Sequence, residues 1–131
     1  MKKDIDFHIA KQIQIVAIKE WDKDFLSQNW NVYLVNNRED TIEAVLVLSR
    51  GNSDDRKTST LRHGLGNTVG KSVSKVEMIT EDVLGFTNEY LVTFFLEGKL
   101  FERRFVFEPN AISIENVVEI TATNSKGVIA K

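Results

Sequence analysis

The sequence contains no cysteine, a single proline (Pro109) and only two histidines, His8 and His63. Without cysteine, disulfides, thiolate metal centres and thiol nucleophiles are all excluded. One proline and no Ser/Gly/Pro tract leave nothing resembling an interdomain linker, so 1–131 reads as a single domain. Neither histidine has a second His, an Asp or a Glu at ligand spacing, so no metal site and no cofactor is expected.

A large excess of charge is missing as well. The formal net charge is −2 and the sequence pI is about 5.7, which gives no global field toward nucleic acid or an anionic membrane. Long hydrophobic runs are absent, and no window reaches the length of a transmembrane helix. The segment Met1–His8 starts with charge and never enters the apolar stretch of a signal peptide. These readings place the protein in the cytoplasm.

What the sequence does have is core-forming material: 42% apolar residues, eight Phe, two Trp and two Tyr against 27% charged residues. That content is too high for a disordered chain. It is arranged as short extended segments separated by polar turn residues, the pattern of an all-β protein. The strongest element is the hairpin from Tyr90 to Phe107, with a two-residue turn at Glu97-Gly98 or Gly98-Lys99. Strand alternation then puts Tyr90, Val92, Phe94 and Leu96 on one face with Phe101, Arg103, Phe105 and Phe107, leaving Thr93, Glu102 and Arg104 on the other. The first face is the expected core, where Arg103 reaches the rim or lies over an aromatic ring.

A second hairpin is expected from Trp30–Val35 and Thr41–Ser49 around the polar run 36–40. Its second strand is apolar on both faces, as in a central strand or one buried in an oligomer interface. Lys11, Gln12 and Gln14 alternate with Ile13, Ile15 and Ala17, which suits a strand with one wet side. Trp21–Asn29 reads as a helical turn or a loop, Ala111–Ile120 as a strand or edge segment, and 124–127 as a turn. For 71–84 the β-branched content favours a strand at Ser72–Ile79, with an α+β fold carrying one helix there as the alternative. The expected architecture is an antiparallel β-sandwich, immunoglobulin-like, of about seven to nine strands.

Candidate chemistry is sparse. The run from His63 to Ser72 ends in Gly-Lys-Ser, yet Gly64 leaves five residues before Gly70 and Gly66 leaves three, where a phosphate-binding loop needs four. The pairs Glu39/Asp40, Asp54/Asp55 and Glu81/Asp82 lie in polar turns, whereas catalytic carboxylates need a desolvated member at a defined separation. No serine has a nucleophile-elbow context, so no catalytic residue is assigned. One basic cluster remains, Arg50, Arg56, Lys57, Arg62 and His63, whose forked arginine donors suit a small anion or RNA phosphate.

The stretches NWNVYLVNNREDTIEAVLVLSRG (29–51), RKTSTLRH (56–63) and NEYLVTFFLEGKLFERRFVFEPNAI (88–112) resemble a small bacterial family of β-rich proteins. Its members have at times been labelled phenylalanine-tRNA ligase α-subunit. The resemblance covers nearly the whole chain and carries no defining catalytic motif. Only Phe101-Glu102-Arg103-Arg104 echoes the arginine motif of such a ligase, so the resemblance implies an intact domain rather than a reaction. Two function classes follow: a non-catalytic protein-interaction or structural module, with a protein partner or self-association through a sheet face or edge, and an accessory domain binding RNA or a small anion through 50–63.

Overall fold

The computed structural model describes residues 8–131; the reading of Met1–Phe7 lies outside them. The chain is all-β, with two five-stranded, mostly antiparallel sheets and no barrel. The first sheet holds β1 (His8–Ile9), β8 (Lys99–Phe107), β7 (Thr87–Leu96), β4 (Ile42–Asn52) and β5 (Leu61–Thr68), in that spatial order. The second holds β6 (Ser72–Ile79), β3 (Gln28–Asn36), β2 (Ile13–Trp21), β10 (Ser125–Ile129) and β9 (Val118–Ile120). The ten strands among the described residues exceed the expected seven to nine because β1 and β9 span only two and three residues.

The core lies between the sheets. Ile13, Ile15, Val32 and Leu34 from one meet Val47, Val92, Phe94 and Phe105 from the other, all at most 2% exposed. The β7–β8 hairpin has the anticipated faces: Tyr90 lies opposite Phe105, Val92 opposite Arg103 and Phe94 opposite Phe101. Its turn is Glu97-Gly98, both at positive φ (50° and 74°), the conformation that matches strand twist in a two-residue hairpin. Phe94 and Phe101 stack at 5.5 Å, and the Arg103 guanidinium sits 4.6 Å from the Phe105 ring centroid.

The expected hairpin of 30–35 with 41–49 does not form. β3 pairs with β2 and β6, whereas β4 pairs with β5 and β7, so 37–41 crosses from one sheet to the other. Long-range polar contacts decide this. The fully buried Asn36 donates through Nδ2 to the carbonyls of Asp40, Thr68 and Val69, and Lys71 N donates to Arg38 O at 2.9 Å. The crossover is thereby tied to the second one, β5 to β6, and Gly70 lies so close that a Cβ there would stand 2.2 Å from Glu39 O.

β4 is apolar on both faces for a local reason. Ala44 adopts φ 50° in a bulge, so Ile42, Val45 and Val47 all turn inward and Leu46 and Leu48 outward. Asn67 Oδ1 accepts from the freed Ala44 N–H at 3.1 Å. β2 is likewise covered on its second face, where Val16 and Ile18 pack on Val35 and Ile120. Ser72–Ile79 is a strand, and the only helical element near it is the three-residue 3-10 turn Glu81–Val83. Downstream, 111–120 holds a 3-10 turn, Ile114–Asn116, before β9, and 125–127 belongs to β10 rather than to a turn. The turn is confined to Asn124, at φ 55°, because the ladder with β9 takes Ser125, Lys126 and Gly127 into the strand.

Candidate functional site

The five basic residues singled out above do not converge. Strand alternation separates Arg62 from His63, sending Arg62 to the outer face opposite Leu48 and His63 inward opposite Val47. Arg50 also faces outward, with Nε 3.0 Å from Glu89 Oε2, and Arg104 approaches the same carboxylate at 3.2 Å. Arg56 lies on the β4–β5 segment, 5.4 Å from the Phe86 ring centroid, and Lys57 makes a backbone bridge with Asn52. The cluster is thus divided between an outer sheet face, a loop and the interior.

His63 meets partners that no local motif announces. Its Nε2 lies 3.0 Å from Glu77 Oε1 and 3.2 Å from Ser49 Oγ. Ser49 Oγ donates to the same Glu77 oxygen at 3.1 Å, and Tyr90 Oη donates to Oε2 at 2.6 Å. The four side chains come from β4, β5, β6 and β7, so this polar knot ties the two sheets together. Glu77 turns inward because it lies opposite the fully buried Val32. Burial, reinforced by the Glu77 charge and hydrogen bond, pushes the Tyr90 phenol far above its ordinary range, which keeps it a donor.

The knot does not form a nucleophile relay. In such a relay the carboxylate holds one ring nitrogen of histidine while the other faces the hydroxyl. Here Ser49 and Glu77 share a single nitrogen, Nε2, and Ser49 is 4% exposed. What the arrangement offers is a fixed, hydrogen-bonded carboxylate.

That carboxylate lines a groove of about 320 Å³ that opens where β5 and β6 diverge. Leu61, Met78 and Val83 give it apolar walls, Thr58, Ser59 and Thr80 contribute hydroxyls, and Tyr90 and Ser49 lie in its floor. Among the described residues, no group of three or more His, Asp or Glu is placed to hold a metal ion.

A second feature stands at the same pole, because β3 pairs Trp30, just after the β2–β3 tip, with the groove-lining Ile79. The β2–β3 tip, 22–27, carries Phe25 at 74% and Leu26 at 81% exposure, next to Trp21 at 55%. The tip is ordered by Asp22, whose carboxylate accepts from Asp24 N, Leu26 N and Ser27 Oγ at 3.0–3.1 Å. Phe25 N donates to Asp22 O, and Phe25 itself sits at φ 56°. These donors, that of Leu26 foremost, hold the Asp22 carboxyl below its ordinary range.

A reading of the sequence misses Ser49, Glu77 and Tyr90 as a unit. The available signal is Tyr90 on the core face, because a buried phenol requires an acceptor. No helix among the described residues is long and apolar enough to cross a membrane. The chain matches no protein-family model, no curated protein and no solved structure.

Proposed function

We propose that the chain is a non-catalytic cytoplasmic protein-interaction module, an immunoglobulin-like sandwich in its layering, that docks through the β2–β3 tip. The observation that carries this reading is the exposure of Trp21, Phe25 and Leu26 on and beside a loop whose backbone is hydrogen-bonded by the Asp22 carboxylate. Large apolar side chains in water cost free energy that is recovered when a partner covers them, at about 25 cal/mol per Å². Because the loop is already ordered, little conformational entropy is lost on docking. Aromatic anchors of this kind dominate interface energetics. The flanking charges favour a protein pocket over an anionic bilayer, since Glu20, Asp22 and Asp24 outnumber Lys19 and Lys23.

The test is affinity capture with the wild type and with Phe25→Ser/Leu26→Ser. The variant is expected to lose a specific bound protein while keeping its melting temperature, and neither form is expected to bind anionic vesicles. Identical captured proteins, or vesicle binding that needs the tip, would reject the reading.

A second reading, contact with RNA or a small anion, draws on the outer face of the first sheet. Arg50 and Arg104 line a recess of about 390 Å³ over Leu48 and Leu91 there, with Glu89, which pairs with both, and Glu102 in the same lining, and Arg62 lies opposite Leu48 on that face. Arg62→Ala with Arg104→Ala should abolish any salt-sensitive RNA binding by the wild type; undiminished binding would discard this reading.

A further inference from the structure

We propose that the groove between β5 and β6 is a binding site for a small ligand carrying a primary ammonium group on a compact apolar body, with Glu77 as the counter-ion. Its volume of about 320 Å³ falls at the small end of the about 300–1,000 Å³ typical of ligand pockets. The chemistry of its lining selects the ligand.

Glu77 supplies the charge in the floor. Its side chain retains 16% exposure, whereas Arg50, the cationic lining residue, turns its guanidinium to the outer face and Glu89. A carboxylate offers about four lone-pair positions, and Ser49, His63 and Tyr90 approach three of them. By that count one acceptor position remains, on Oε2, and Glu77 lines the groove. The three internal contacts fix the carboxylate, so a ligand meets a preorganised acceptor rather than a mobile surface glutamate.

The surroundings favour a cation with N–H donors. The hydroxyls of Thr58 and Thr80 also line the groove; Thr58 accepts from Gly51 N–H and donates to Ser59 O, Thr80 donates to Asp82, and each keeps a lone pair for an ammonium hydrogen, with Glu81 and Asp82 directly after Thr80. The half-exposed Leu61 and Met78, 52% and 49% accessible, flank the opening and provide a surface for an apolar body. A quaternary ammonium lacks the donors the floor asks for, and a carboxylate ligand is repelled by Glu77.

The proposal is independent of the tip and is tested by titrating the ¹⁵N-labelled protein with benzylammonium, benzyl alcohol and benzoate while amide shifts are followed. Benzylammonium should give saturable shifts centred on Leu61, Glu77 and Met78, benzyl alcohol should bind at least about tenfold more weakly, and benzoate should leave these amides unmoved. Glu77→Gln should erase the preference for the amine. If that variant does not fold, Met78→Arg, on an exposed wall, places a cation at the mouth and should weaken benzylammonium at least about tenfold. Phe25→Ser should leave amine binding unchanged. The proposal fails if benzylammonium produces no saturable shift at these residues, if benzyl alcohol binds equally well, or if the Glu77→Gln or Met78→Arg protein binds the amine like the wild type.

Discussion

The two long sides of the molecule join the same pair of sheets by different means. On the β8 side the backbone does the joining: β1 runs parallel to β8, Ala10 N donates to Glu102 O, and Lys131 exchanges two hydrogen bonds with Val106 at 2.9 and 3.0 Å. Both ends of the described chain thus cover the edge of one sheet before or after pairing in the other. On the β5–β6 side no strand among the described residues lies beyond either edge, and side chains make the bridge: Asn36 at the crossover end, and the carboxylate of Glu77 at the groove end. A side closed by backbone cannot admit a ligand without unfolding locally. A side closed by side chains leaves a groove and two strand edges with no partner strand among the described residues, the sort of surface proteins otherwise protect.

Substitutions can sharpen this contrast, starting with the one that ignores it. Phe94→Ala removes a fully buried ring from the common core and should cost about 3–5 kcal/mol in denaturant unfolding, loosening both sides together. Glu77→Ala leaves three donors without their acceptor and should cost about 2–4 kcal/mol, with the loss confined to the open side. Tyr90→Phe keeps the ring, which meets Phe107 edge-on at 5.9 Å, and should cost about 1–2 kcal/mol. Equal costs for Glu77→Ala and Tyr90→Phe would contradict the sharing of one carboxylate among three donors.

The smallest effect expected is at the tip and depends on pH. Asp22 has its folded-state pKa lowered, so its stabilising contribution is present above the ordinary carboxylate pKa and is lost as pH falls through the lowered value. Trp21 fluorescence should therefore report loosening of the tip only in acid below the usual carboxylate range, and Asp22→Asn should shift or remove that transition. A transition near neutral pH would contradict the assignment.

How much of this was legible beforehand follows from the range of the contacts. The β7–β8 hairpin was readable because a two-residue turn and the alternation of Tyr90, Val92, Phe94 and Leu96 determine its faces locally. The strand at Ser72–Ile79 was readable from its β-branched residues. The pairing of β3 and β4 was misread because 36–40 has the composition of a hairpin loop, while the bonds from Asn36 to Thr68 and Val69 span more than thirty residues. His63 was singled out without its partners, since Glu77 reaches it from the opposite sheet. The basic cluster looked continuous only along the chain; a strand period of two sends Arg62 and His63 to opposite sides.

The most direct test of the contrast between the two sides is native-state hydrogen exchange of Glu77→Ala against the wild type. Protection should fall in β5 and β6, from Leu61 to Gly64 and from Val76 to Ile79, while β8 and its partners Ala10 and Lys131 keep theirs. An equal loss on both sides, or none at β5 and β6, would show that the open side does not depend on this carboxylate.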